Sequence, residues 1–342
     1  MLLVCARYLW RKAMLITRPA YFDDFRCIAG DCPDSCCKEW AVQVDPEAAA
    51  RYRALPGPLG DKLRQVLVDE DGQTVMTIED RRCPMWRQDG LCRIQAELGE
   101  EALCQVCRDF PRLRHDYGDF LELTLELSCP EAVRLILNAR PAPPVTQSIP
   151  GGQGEYDPLD MEILKATRQQ MLSLLSDTSR PIPETLALAL LYGCHAQSDL
   201  DAGEMEPFHP EAALEEARLL AKPGNYSLML DFFRSLELLT PEWGAMLDHP
   251  APGPWTYHHL ALARYFVERY WLQAISDFDL YSRVKLMLIS CLLVDHLGGD
   301  IFRTAQLYSK ELENNADNVE ALLDAAYSHP AFTDDKLLGM LL

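Results

Sequence analysis

Four cysteines fall within eleven residues, at Cys27, Cys32, Cys36 and Cys37, with Gly30 and Pro33 between them. That stretch constrains the fold more than any hydrophobic pattern in the chain. Glycine and proline break helices and strands, so the segment reads as a loop that folds its sulfurs inward. Cys36 and Cys37 do not pair easily with each other. Adjacent Cα atoms stand ~3.8 Å apart, whereas disulfides usually span roughly 4.4–6.8 Å. Thiolates are soft donors that select zinc, copper(I) or iron–sulfur clusters over hard cations. The carboxylates of Asp31 and Asp34 nearby need not bind, since hard donors compete poorly for a soft centre.

A second group follows at Cys83, Cys92, Cys104 and Cys107, the last two forming a C-x-x-C. That spacing lets two sulfurs reach one metal from a single turn of backbone. Cys129 precedes Pro130 at an expected helix start, where a thiolate is favoured, so it reads equally as a ligand or as a capping or core residue. Nine of the twelve cysteines therefore lie between Cys27 and Cys129, and together they read as metal ligands. Eight thiolates fit one four-iron cluster plus one zinc-like site, two clusters, or two zinc sites. The C-x3-C-x2-C loop of the radical S-adenosylmethionine enzymes is absent, because Cys37 directly follows the Cys32–Cys36 spacing. Cys194 and Cys291 sit singly in apolar stretches and read as small buried hydrophobes.

A net charge of −20 disfavours nucleic acid, whose phosphates attract Lys and Arg, and either attracts cationic partners such as lysine-rich protein segments or, the commoner case, only confers solubility. No segment reaches the roughly 18–20 apolar residues that span a bilayer, so no membrane association is expected. Residues 1–13 mix Arg7, Arg11 and Lys12 into an apolar run and make a poor signal peptide. They read as a possible non-native extension ahead of Met14. The chain is accordingly placed in the cytoplasm, where thiols stay reduced and available for metal.

The expected fold is mainly α. A cysteine-rich, loop-rich metal-binding domain with short strands and helices covers 14–138, and an α-helical bundle covers 159–342. Between them, 139–158 holds five prolines and three glycines and reads as a linker or surface loop. In the first domain a helix is expected from Pro46 with Asp45 as its N-cap. A short strand is expected in 73–80, and helices over 95–110 and from Pro130. GGQG at 151–154 lies in the linker, so it is no nucleotide-binding turn.

The stretches RPAYFDDFRCIAGDCPDSCCKEWAVQVD, CPMWRQDGLCRIQAELGEEALCQVCRDFPR and ELSCPEAVRLIL closely resemble the flagellin lysine-N-methylase family, as do several helices of the second half. The cysteine blocks alone overlap with small zinc- or iron-chelating proteins of the CxxxCxxCC type. What the first resemblance implies is methyl transfer from S-adenosylmethionine to surface lysines of flagellin, by a cytoplasmic protein carrying a [4Fe–4S] cluster. It maps the family's cysteine motif onto Cys27, Cys32, Cys36, Cys37, Cys83, Cys92, Cys104, Cys107 and Cys129. The alternative is a chelating protein with a structural zinc or iron site and a helical partner-binding domain, without catalysis.

Lysine is nucleophilic only as the free amine, so its pKa of about 10.4 must be overcome by a base or a desolvated pocket. Glu122 and Glu126, alternating near Cys129, and His115 are the candidate bases. The competing reading makes them solvated strand carboxylates and a surface histidine. Tyr257, Tyr265, Tyr270, Trp271 and Tyr281 could line a cation-accepting pocket, although aromatics at helical spacing are usually core. No sequence motif marks the S-adenosylmethionine site.

Overall fold

The computed structural model describes residues 13–38, 42–70 and 72–342. Residues 1–12, which hold most of the expected extension, lie outside the described residues, and Ala13 already belongs to a strand. Among the described residues the chain forms seven strands and fifteen α-helices, so the expectation of a mainly α protein holds.

The strands are β1 (Ala13–Arg18), β2 (Val42–Val44), β3 (Leu67–Glu70), β4 (Gln73–Met76), β5 (Arg112–Asp116), β6 (Phe120–Leu125) and β7 (Val145–Pro150). They make two sheets. The small one, ordered β2-β4-β3, is antiparallel throughout and belongs to the cysteine-rich lobe. The larger, ordered β5-β6-β1-β7, pairs β1 parallel to β6 and antiparallel to β7. The stretch 139–158 is therefore more than a linker. Its residues 145–150 close the edge of a sheet in register with all six residues of β1, from Ala13 opposite Pro150 to Arg18 opposite Val145. The prolines flank this edge strand, where a missing N–H costs the ladder little.

The hydrophobic cores do not divide at residue 138. One core joins Val42, Val44, Tyr52, Leu63, Met76, Met85, Ile94 and Leu103 with Cys83 and Cys104. The other gathers Phe25, Phe120, Leu125, Leu127, Val133 and Ile136 together with the helices of the second half. The lobe is thus an excursion that leaves the body after Phe25 and returns near β5. Local rules explain much of it. Asp45 caps the Pro46–Ala54 helix by accepting from the Ala48 N–H at 2.9 Å, and Pro46 stands at its first position as expected. The helix expected over 95–110 is split into Arg93–Leu98 and Gln105–Asp109. Gly99, at φ +89°, turns the chain between them in a conformation that other residues rarely adopt.

In the body, the long helices Ile182–Ala202 and Leu280–Leu297 carry some of its most buried side chains. Their close approach depends on Gly193, where an added Cβ would fall 2.4 Å from a methyl of Val284. Cys291 is fully buried as expected, whereas Cys194 is exposed. Overpacking of such a contact costs about 1–3 kcal/mol. Gly193→Ala is therefore expected to lower the free energy of unfolding by that amount in urea denaturation, whereas an unchanged midpoint would show that the helices separate freely.

Candidate functional site

Backbone hydrogen bonds bring three separated cysteine blocks together. The Cys83 N–H donates to the Cys37 carbonyl at 2.8 Å, pinning the Cys-Pro turn to the double cysteine. Trp86 and Cys92 form an isolated bridge, and the Arg93 N–H donates to the Met85 carbonyl at 2.7 Å. Asp45 also anchors the third block, because its second carboxylate oxygen accepts from the Gln105 N–H at 2.8 Å. These two backbone donors, Gln105 first and then Ala48, hold its carboxyl below the usual range.

Six thiols, those of Cys36, Cys37, Cys83, Cys92, Cys104 and Cys107, line one small cavity of about 20 Å³. Its other walls come from Val42, Tyr52, Met76, Met85, Ile94 and Leu103, and neither carboxylate nor imidazole reaches it. The sulfurs touch in pairs: Cys37 with Cys36, Cys83 and Cys92, and Cys104 with Cys107. Such contacts share protons unequally. The contact with Cys107 holds the Cys104 thiol down, while Cys107 itself is pushed up. Cys37 is likewise lowered by Cys36, and Cys92 is raised by its contact with Cys37. Removing every proton would collect like charges in an apolar enclosure, which only a cation can offset. The donor set fits a soft metal. Among the described residues, no three His, Cys, Asp or Glu side chains are already posed to hold a single metal ion.

Cys27, Cys32 and Cys129 are not among the residues that line this cavity. Cys129 caps the Pro130–Asn138 helix, and burial pushes its thiol up to about 11, with further contributions from Cys32 and Cys27. Cys27 and Cys36 are exposed. The Cys32 thiol donates to the Asp34 carbonyl at 2.5 Å.

Asp34 is not the idle carboxylate its hardness toward metal implied. It is only 7% exposed and accepts hydrogen bonds from Lys310 at 3.1 Å, Gln306 at 3.1 Å and Arg303 at 3.2 Å. Lys38 adds a fourth contact at 3.4 Å. Burial alone would raise its carboxyl, but Lys310, Gln306 and Arg303 outweigh it and hold it down. The same Gln306 amide donates to the Ser128 carbonyl at 2.8 Å, one residue before Cys129.

The candidate bases lie in a buried cluster of charged side chains between the larger sheet and the body helices. Glu122 is not solvated. Arg168 grips both its oxygens at 2.6 and 2.8 Å. Glu126 is 7% exposed, accepts from Ser128 at 2.9 Å and is raised by burial against the pull of Arg269. His115 is not a surface histidine, because its Nε2 is buried without a hydrogen-bond partner. Burial and then Arg269 push it below its ordinary value. Glu313 pairs with Arg269 at 3.1 Å and accepts from Tyr265 and Tyr270. The aromatics follow the core reading that their helical spacing favours rather than forming an open cation pocket, with Tyr265, Tyr270 and Trp271 buried. Arg140 and Arg264 lie on Tyr257, Arg269 on Tyr265 and Tyr270, and Lys285 on Tyr281, while Trp271 is core.

Comparison with known proteins follows this geometry. The chain is 32% identical over 134 residues to the flagellar biosynthetic protein FliU of Salmonella muenchen, covering 79% of that protein and 37% of this chain. It is also 28% identical over 265 residues, 70% of its own length, to the lysine-N-methylases of Salmonella choleraesuis and Salmonella typhimurium. The chain belongs to the lysine-N-methylase family. The match spans 65% of the length of each lysine-N-methylase. No family model matches the chain, and no solved structure matches it.

For a member of the lysine-N-methylase family, the residue that sequence reasoning missed is Glu268. Half-buried on the Tyr257–Tyr270 helix, it receives no hydrogen bond among the described residues. Burial lifts its carboxyl to about 7 against Arg168 and Arg264, and Glu122 adds to the rise. The signal was present: Arg264 and Glu268 lie four apart in one helix and share one face. A carboxyl raised in the folded state stabilises the fold most below its unfolded pKa of ~4.3 and loses that contribution as pH climbs toward 7. Glu268→Gln mimics the protonated form. Its melting temperature is expected to exceed that of the native protein above pH 7, with the gap shrinking toward pH 5. A gap independent of pH would contradict the raised carboxyl.

Proposed function

We propose that the chain is a cytoplasmic protein lysine N-methylase that modifies surface lysines of flagellin, with S-adenosylmethionine as methyl donor and a cysteine-ligated [4Fe–4S] cluster. The observation that carries this reading is the length of the family match. Its 265 residues exceed what the cysteine-rich lobe can hold and must extend into the helical body, which a small chelating protein has no need of. The flagellar name of the FliU relative supports the choice of target. No helix among the described residues is long and apolar enough to cross a membrane.

Thiols from the set Cys27, Cys32, Cys36, Cys37, Cys83, Cys92, Cys104, Cys107 and Cys129 would hold the metal. When bound, the cluster supplies a redox-active, Lewis-acidic centre and the sulfonium donor an electrophilic methyl group. The chain's own residues handle the substrate. Three guanidinium groups, of Arg168, Arg264 and Arg269, face four carboxyls, of Glu122, Glu126, Glu268 and Glu313. Arg168 and Arg269 are spent on Glu122 and Glu313, Arg264 donates to the Ala139 carbonyl and the Tyr257 hydroxyl, and Glu126 accepts from Ser128, which leaves Glu268 to receive a cation. A lysine ammonium placed there would give its proton to Glu268, leaving the free amine as the nucleophile for the donor's methyl group. Glu126 and His115 belong to the same buried cluster. The −20 charge steers a lysine-bearing partner and weakens as salt rises.

Anaerobically purified protein, assayed for iron and sulfide, is to be incubated with flagellin and isotopically labelled S-adenosylmethionine. Mass spectrometry should then find labelled methyl-lysine on flagellin. Glu268→Gln should lower kcat by about 10²-fold or more at unchanged iron content, and 0.5 M salt should raise KM. Iron- and sulfide-loaded protein that leaves flagellin unmethylated would overturn the assignment in favour of the chelating alternative.

A further inference from the structure

Past Glu268 the chain runs on as the short 3-10 helix Trp271–Ser276 and turns at Asp277, Phe278 and Asp279 into the Leu280–Leu297 helix. Phe278 makes this turn at φ +59°. Helices commonly end on one left-handed residue, and glycine fills that position because a Cβ is crowded there. A bulky aromatic in that conformation persists only when its surroundings hold it. Here they do. The Phe278 N–H donates to the Ala274 carbonyl at 2.7 Å, and the Gln197 amide donates to the Phe278 carbonyl at 2.9 Å. The oxygen of the same amide accepts from the Leu280 and Tyr281 N–H groups at 2.8 and 2.9 Å. Arg283 grips both carboxylate oxygens of Asp277 at 3.0 and 2.8 Å.

The ring gains little burial in return. Phe278 stays 47% exposed, and among the described residues it joins none of the hydrophobic cores. Tyr327, on the Ala316–Ser328 helix, adds a second open ring at 59% exposure, fixed through its hydroxyl to Asp279 at 2.6 Å. The free charges around the turn are negative. Asp277 and Asp201 are exposed, and Asp201 accepts at 2.8 Å from the amide nitrogen that also holds Phe278. The guanidinium within reach, of Arg283, is committed to Asp277. Aromatic anchors carry much of the energy of protein contacts, and an anchor fixed beforehand loses less entropy on binding. A carboxylate rim selects a cationic partner.

We infer that Phe278 and Tyr327 are a docking point for the protein substrate. An apolar contact ringed by Lys or Arg on the partner's surface seats on the two rings, while a lysine of the same surface reaches Glu268. The partner's identity rests on the proposed function. Glu268 and Phe278 are ten residues apart in a largely helical run, ~15–20 Å at 1.5–2.0 Å per residue. The Trp271–Ser276 segment between them packs on the Pro158–Leu174 helix that carries Arg168. An extended segment covers such a span with about five or six residues. A protein surface therefore bridges both points, and a lone lysine does not.

The test is Phe278→Asn in the full chain. Asn leaves the net charge unchanged and tolerates the left-handed backbone, so the variant removes the ring without disturbing the turn. KM for flagellin should rise about tenfold or more while kcat holds, and Tyr327→Ala should raise it too. The melting temperature of Phe278→Asn should stay at or above the native value. A lower one would show that the ring serves the fold and would overturn the inference. A photocrosslinking benzoylphenylalanine in place of Phe278 should capture flagellin. Methylation of flagellin with an unmoved KM, or with no capture from this position, overturns the docking point and leaves the activity standing. If flagellin is neither bound nor methylated, the proposed function fails, and a fluorescent peptide of alternating Lys and Leu decides the docking point by anisotropy. Weaker binding to Phe278→Asn than to the native chain supports it, and equal binding overturns it.

Discussion

One buried carboxylate, that of Asp34, ties the cysteine loop to the helical body. Its partners Arg303, Gln306 and Lys310 lie some 270 residues further along the chain, so the contact forms only when the fold is complete. A charge held at 7% exposure is costly by itself and is stabilised only by its donors. Removing the donors one by one would leave an unpaired charge, which costs more than the pair contributes. The arrangement therefore specifies position more than it adds stability. It holds Cys32 and Cys36 at a set distance from the Pro130–Asn138 helix that Cys129 caps.

The segment that supplies Lys310 also supplies Glu313, and it is a π-helical turn, Ser309–Glu313. A π turn widens the helix and rotates the side chains that follow it, and such turns recur at functional sites. Here Lys310 reaches the cysteine loop while Glu313 joins the buried charged cluster. The two halves of the candidate site therefore share one short piece of backbone. A shift of that turn would alter the seat of the loop and the charge balance around Arg269 together.

Much of the cysteine lobe was legible in the sequence because its rules are local. Asp45-Pro46 announces a helix start, the Gly30 and Pro33 breaks announce a loop, and nine clustered thiols have few other uses. What stayed hidden depends on contacts far apart in the chain. The Pro-rich stretch reads as a linker because its pairing partner, β1, lies some 130 residues earlier. Glu122, Glu126 and His115 read as surface groups because strand alternation does not say which face a helix will cover. The tyrosines were legible as core from their helical spacing, but not the arginines that lie on them, in the same helix or well before it. Asp34 was set aside for a sound reason, its hardness toward soft metals, yet its value lies in hydrogen bonding rather than ligation.

The parallel pairing of β1 with β6 has a consequence for the order of folding. Leu15 opposes Phe120, so the central strands of the larger sheet meet only after about a hundred intervening residues have been drawn into a loop. Closing a flexible loop of that length costs about 4 kcal/mol of chain entropy. A metal–thiolate bond inside the lobe would shorten that loop before the sheet closes. A lobe loaded early would therefore act as a clamp on the unfolded chain, bringing both ends of the excursion within reach of each other. Were the lobe to take up metal, its supply during synthesis would set the pace at which the body finds its central strands, quite apart from any part the metal plays afterwards.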